Sequence, residues 1–240
     1  IQNKKKNKKA EVYVFTENET SEEAVDTLKD KNDSVHIRII DMKMVTIREI
    51  LWDYPLFSNA KSKKKLDVTV LGVGAFGGCF AANSLWCGCM PDCKLRLNLV
   101  DSDLEENVLR RVFKNKIKHN FDIQTVTENV NTNSFFKTVK NNERLMDSDY
   151  IMVSVSSDDV NIEIARELRL FFSRKGKNPF IVTYVRNQSK YNALHDILKK
   201  EGIELVGGIN NMYSAHNVFY NSNFSRAFEV YKMVLKNYRN

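Results

Sequence analysis

Three glycines and one aspartate have the types and spacing to do recognisable chemistry. Gly72, Val73, Gly74, Ala75, Phe76 and Gly77 form a G-x-G-x-x-G run, and the apolar, β-branched stretch Val68-Thr-Val-Leu71 leads into it. A helical pattern follows, and a strand–turn–helix setting is the context in which such a run carries meaning. Gly72 permits the tight turn off the strand, Gly74 leaves room for a pyrophosphate to approach the backbone, and Gly77 lets helix pack on strand. The N–H groups that open the helix then face the phosphates, at the positive end of the helix dipole.

The second element of this chemistry is an acid at the end of the next strand, about 20 residues on. Asp101 closes Leu97-Asn-Leu-Val100 and meets the requirement, with Ser102 beside it; residues 88–94 lengthen the gap slightly. Its carboxylate would accept hydrogen bonds from an adenosine ribose and repel a 2′-phosphate, which favours NAD or an adenine nucleotide (ATP or AMP) over NADP. Ligands in such folds sit at the carboxyl ends of strands near the point where strand order reverses. Thr127 and Glu128 after the third strand, Ser154 and Ser156 after the fourth, and Arg186 after the fifth are therefore secondary candidates, each also readable as a solvated loop residue.

The elements that must position these residues follow from periodicity. Residues 68–71, 95–100, 123–126, 150–154, 180–185 and 204–206 read as strands, and 75–86, 104–118, 134–140, 160–172 and 190–200 as the helices between them. Strands alternating with helices imply right-handed crossovers and a parallel sheet. The expected class is α/β, a doubly wound, Rossmann-like parallel sheet. A last helix is expected over 225–237. Ahead of the glycine loop, residues 11–15 and 35–40 read as strands, 22–29 and 46–52 as helices, the latter stopping before Pro55. The expected organisation is thus a βαβα half-unit over 1–57, a lysine-rich linker over 58–65 and a nucleotide-binding domain over 66–240. The first residue is Ile rather than Met, and the front segment looks like the second half of another such unit, so the chain reads as a piece of a larger tandem protein.

At 240 residues, 42% hydrophobic and 28% charged, the composition is that of an ordinary soluble globular chain. No stretch nears the roughly 18 consecutive apolar residues of a membrane-spanning helix, and the N-terminus is no signal peptide; a cytoplasmic location is expected. The net charge of +7 draws much of its excess from lysine runs at 4–9 and 61–65. Such runs are usually solvated, and no zinc finger or aromatic-interleaved basic stripe accompanies them, so nucleic acid is not an expected partner. Cys79, Cys87, Cys89 and Cys93 do not follow a common zinc spacing and read as reduced thiols, with Cys79 on a helix facing the sheet.

Taken together, the motifs resemble the TrkA-N (KTN/RCK-type) nucleotide-binding domains that regulate potassium transport. The matching pieces are the glycine loop through Gly77, Val100-Asp101, Asp149-Tyr-Ile-Met-Val153, Asp158-Asp-Val-Asn-Ile162, Val182-Thr-Tyr-Val-Arg-Asn187 and Leu198-Lys-Lys-Glu-Gly-Ile203, over about residues 66 to 210. Asp158, Asn161 and Arg186 stand where that family carries an acidic-x-x-Asn stretch and an arginine. The resemblance implies a ligand-sensing regulatory domain that binds NAD or ATP/AMP without catalysis of its own, and a homo-oligomer or contacts with other domains of the same larger protein.

Two enzymatic readings compete with it. An NAD-dependent oxidoreductase would need a substrate domain and a proton donor near the nicotinamide; Tyr213 or His216 could serve, whereas His36, His119 and His195 are scattered. An ATP-dependent adenylating enzyme of the ubiquitin-activating type is suggested by Asp101-Ser-Asp103-Leu-Glu-Glu-Asn107-Val-Leu-Arg110-Arg111, which also reads as a capped amphipathic helix with Ser102 or Asp103 as its cap.

Overall fold

Residues 66–71 are all buried, and a strand buried along its length demands cover on both sides. The computed structural model describes residues 10–16, 35–59, 64–88, 93–104 and 122–212. In chain order these form β1 (Ala10–Thr16), β2 (Val35–Asp41), α1 (Met42–Asp53), a 3-10 turn (Leu56–Asn59), β3 (Lys65–Leu71), α2 (Ala75–Cys87), β4 (Lys94–Asp101), β5 (Asp122–Thr127), α3 (Asn133–Asn141) and α4 (Glu143–Met146). They continue as β6 (Tyr150–Val153), α5 (Asp158–Arg174), β7 (Phe180–Val185), α6 (Gln188–Lys200), β8 (Ile203–Gly207) and α7 (Ile209–Met212). The helices expected over 22–29, 104–118 and 225–237 lie outside the described residues. The chain divides into two units, with breaks between Val45 and Thr46 and between Asn211 and Met212.

In the smaller unit β1 and β2 pair in parallel, in register from Ala10 opposite Val35 to Thr16 opposite Asp41. Asp41 then starts α1 at Met42, four residues earlier than the periodicity suggests. Its Oδ1 accepts the backbone N–H groups of Lys43 (2.9 Å) and Met44 (3.3 Å), which satisfies donors that the first helical turn leaves open.

The larger unit is a six-stranded sheet in the order β5-β4-β3-β6-β7-β8, with every neighbouring pair parallel. Counted from β3, that order is the doubly wound one, and the direction of winding reverses between β3 and β6. The expected α/β class is therefore what the chain adopts. Right-handed crossovers send successive helices to opposite faces on the two sides of that point. On one face Phe80, Ala81 and Leu85 of α2 pack against Val68, Val70, Leu97 and Leu99. On the other, Phe135 and Val139 of α3 and Ile164, Leu168 and Phe172 of α5 pack against Leu71, Val100, Ile151, Val153 and Ile181. Burying one such side chain contributes about 1.5–3 kcal/mol.

The α2 face needs further cover beyond β3, and the part of α1 from Thr46 onward, which belongs to the larger unit, supplies it. Ile47, Ile50 and Leu51 join the same core cluster. Tyr54, just after α1, donates its hydroxyl to Glu204 Oε2 of β8 (3.1 Å), and its ring stands 5.6 Å from that of Phe180 in β7.

At the N-terminal edge of the sheet a polar seam joins the strands. Asp67, wholly buried, takes two hydrogen bonds from Arg96 (2.5 and 2.7 Å). Its backbone N–H donates to Asp149 Oδ2 (3.0 Å). Arg144 reaches Asn98 Oδ1 (3.0 Å) and Asp122 Oδ1 (2.6 Å), while Lys177 and Lys65 meet Asp147 at 2.7 and 3.4 Å. Among the described residues no helix is long and apolar enough to cross a membrane.

Candidate functional site

The loop from β3 to α2 lies at the C-terminal edge of the sheet, where the winding reverses, and its three glycines occupy three different environments. Gly72 has φ +82°, a backbone conformation that side chains disfavour, and a β-carbon there would stand 2.4 Å from the carbonyl oxygen of Ser154 at the end of β6. A β-carbon on Gly77 would stand 1.8 Å from the carbonyl oxygen of Gly72, so α2 can cross its own loop at this distance only with glycine. Gly74 differs from both. Its φ is −67°, and a β-carbon there would meet nothing within 4 Å. One glycine turns the chain, one lets the helix close on it, and one keeps the rim open.

The open rim is also where α2 begins. Its first i→i−4 bond runs from Gly78 N–H to Gly74 carbonyl (2.8 Å), so the N–H groups of Ala75, Phe76 and Gly77 precede any intrahelical acceptor. Ala75 is exposed at this point, whereas Phe76 turns inward and is 9% exposed. The helix carries no acidic residue in its first turn, which leaves the positive end of its dipole uncompensated from within.

Asp101 closes the loop from the β4 side. Its Oδ2 accepts the backbone N–H of the buried Val73 at 2.6 Å, and its Oδ1 accepts that of Asp103 at 3.2 Å. Ser102, exposed, places its hydroxyl 3.5 Å from Oδ1. A carboxylate offers about four acceptor positions, so these contacts leave capacity on a partly exposed group. Ser154 closes the loop from the β6 side, its hydroxyl donating to the carbonyl of Gly72 at 3.1 Å.

The remaining candidates sit along the same edge. Asn161, buried in the first turn of α5, accepts from the N–H groups of Val155 (2.7 Å) and Ser156 (3.3 Å), and its amide donates to the carbonyl of Tyr184 (3.0 Å). Asp158 accepts from the backbone N–H groups of Arg186 (3.0 Å) and Asn187 (2.8 Å). The side chain of Arg186 is exposed. Glu128 takes hydroxyl hydrogen bonds from Ser134 and Thr138, both at 2.9 Å; the bonds from Thr138 and Ser134 hold its carboxyl below the ordinary value. Thr127 and Ser156 are exposed.

The expected site residues therefore all lie at the C-terminal edge of one sheet. Val73 bonds Asp101, and Gly72 is met by Ser154 and approached by Gly77, whereas the backbone N–H of Arg186 bonds Asp158. Tyr184 falls within the matched stretch Val182–Asn187 but is not among the expected site residues, yet its ring stacks on Phe76 with centroids 3.8 Å apart. Alternation along β7 could have placed it on the face of Phe180 and Val182, but not against the loop. Tyr213 and His216 lie outside the described residues, and His195 sits on α6, beside Asp196 at 3.1 Å.

Strand order and loop geometry together define a Rossmann-like α/β protein. Comparison with family models, curated proteins and solved structures gives no match to the chain.

Proposed function

We propose that the large unit is a nucleotide-binding sensor domain of TrkA-N type, taking NAD(H) or an adenine nucleotide at residues 72–77 and regulating something other than itself. The observation that carries this reading is the contrast among the three glycines. Two are sterically obligatory for the turn and the helix crossing, and the third opens onto empty space at a helix N-terminus. That is the arrangement a pyrophosphate needs to reach backbone N–H groups. In this reading Gly74, Ala75 and Phe76 hold the phosphates through their backbone, and Asp101 accepts from the ribose hydroxyls with Ser102 beside it. Ser154 and Arg186 line the continuation of the crevice over β6 and β7.

The polar side chains of the edge support binding without chemistry. Asp101, Asp158, Asn161 and Glu128 each already accept hydrogen bonds from the protein's own backbone or hydroxyl groups. A group held this way orients loops; a general base must be within reach of a substrate proton. The resemblance of Asp158, Asn161 and Arg186 to the regulatory family's positions points the same way.

Calorimetric titration of the chain with NAD+, NADH, ATP and AMP, with and without magnesium, tests the proposal. Saturable binding of NAD(H) or AMP without magnesium is expected. ATP binding that requires magnesium would favour adenylation instead, and no binding to any of the four would refute the site.

A further inference from the structure

The phosphate loop has a second anchor that no glycine motif records. Phe76 lies between Gly74 and Gly77, and its ring turns away from the open rim to stack on Tyr184, with centroids 3.8 Å apart and planes 18° from parallel. Gly207, the last residue of β8, lies close beside the Tyr184 ring. A β-carbon there would stand 3.0 Å from Tyr184 Cε2, and Gly207 has φ +103°. The backbone of Tyr184 is held as well, since its carbonyl accepts from the Asn161 amide at 3.0 Å. Asn161 in turn holds the N–H groups of Val155 and Ser156 in the loop after β6. One residue thus meets the first turn of α2 through Phe76, lies beside the end of β8 and, through Asn161, is tied to the loop after β6.

We infer that Tyr184 is a positioning residue of the nucleotide site: its ring, stacked on Phe76 and set beside Gly207, holds the phosphate loop in one arrangement with the loop after β6 and the end of β8. The inference rests on the nucleotide reading for its function, but the positioning itself does not. The loop's N–H groups bind an anion only if they point at one place, and backbone groups have no side-chain rotamer with which to correct their aim. Phe76 is the only large side chain the motif contributes between Gly74 and Gly77, so its seat decides where the first turn of α2 lies. Removing the ring of Tyr184 leaves Phe76 without its stacking partner and the loop free to rotate about Gly74.

Three variants test this: Tyr184→Phe keeps the ring, Tyr184→Leu keeps bulk, and Tyr184→Ala keeps neither. The readouts are amide exchange at Gly78 and Gly208, bonded to the carbonyls of Gly74 and Val185 at 2.8 Å each, and NAD+ affinity by titration. An aromatic pair contributes enough to change an equilibrium by up to about tenfold. Exchange at Gly78 and Gly208 should therefore rise by about tenfold, and NAD+ affinity fall by a similar factor, in the Leu and Ala variants but not in Tyr184→Phe. Phe76→Ala combined with Tyr184→Ala should cost less than the sum of the two single changes, because the partners share one interaction. Wild-type exchange at Gly78 in Tyr184→Leu would overturn the inference, even if Tyr184→Ala fails to fold. Absence of nucleotide binding by the unaltered chain would overturn the nucleotide reading instead, while the exchange comparison still decides whether Tyr184 positions the loop.

Discussion

The carboxylate of Asp101 accepts the backbone N–H of Val73 at 2.6 Å, across two strand-end loops separated by 28 residues of chain. The acid expected to serve a ligand's ribose is also the acid that shapes the glycine loop, so loop and acid form one structural unit.

Replacing Asp101 with Ala should therefore act twice. The buried Val73 N–H loses its acceptor and the ribose loses its own, each worth about 1–3 kcal/mol when unpaired. NAD+ affinity and thermal stability should fall together, as titration and a melting curve on the same sample would show. An affinity loss with unchanged melting would mean that the Val73 bond contributes nothing to the fold.

Gly74→Val should separate binding from folding. The β-carbon meets nothing within 4 Å and the φ of −67° suits any residue, so the melting temperature should stay within a degree or two. The valine fills the space through which phosphate must approach, and binding of NAD+ should be abolished. Retained binding would place the ligand elsewhere.

Gly77→Ala should do the reverse. Its methyl would lie 1.8 Å from the carbonyl oxygen of Gly72, and relief requires moving backbone rather than a side chain. Overpacking of this kind costs about 1–3 kcal/mol, and a backbone clash belongs at the upper end. Urea denaturation gives the number directly, and an unchanged midpoint would show that α2 does not cross its loop at this distance.

Arg96→Leu should be among the most destabilising single changes at the other edge of the sheet. Asp67 is wholly buried, and Arg96 supplies both of its short side-chain bonds, at 2.5 and 2.7 Å. Breaking a buried pair from one side costs about 3–5 kcal/mol, and Lys65, 3.7 Å from Asp67 Oδ2, offsets part of the charge left behind. Adding Asp67→Asn to the same chain should restore part of that loss, because the stranded charge is gone.

Acid should weaken the same edge. Hydrogen bonds from Lys94 and Arg144 hold the Asp122 carboxyl below its ordinary value, and Lys177 does the same for Asp147, aided by Lys65. A depressed folded-state value means that the stabilisation is present above the unfolded value, about 3.9 for aspartate, and is lost as pH falls through the lower folded value. Melting temperature should thus drop below about pH 4, less steeply in Asp147→Asn. These groups are partly exposed, so high salt should shrink the effect. A curve flat from pH 7 to 3 would show that the seam adds no stability.

How much of this was legible beforehand depends on how local the controlling interaction is. The strands of the large sheet, most helix cores and the glycine loop follow from alternation, helical spacing and the special backbone needs of Gly72, all set by neighbours in sequence. Boundaries fared less well where a single side chain decides them. Asp41 begins α1 at Met42 through two hydrogen bonds, and β3 begins at Lys65, inside the segment read as a linker, because that residue pairs in register with Lys94 of β4.

By itself the sequence determined the α/β class, the position of the open glycine and the identity of the acid at the end of β4, because periodicity and backbone geometry are local properties. Only the tertiary structure decided that Asp101 bonds Val73, that α1 from Thr46 onward joins the core of the α2 face, and that Phe76 stacks on Tyr184. These contacts join residues far apart in the chain and brought together by the sheet's winding, and no spacing rule along one strand or helix carries that information.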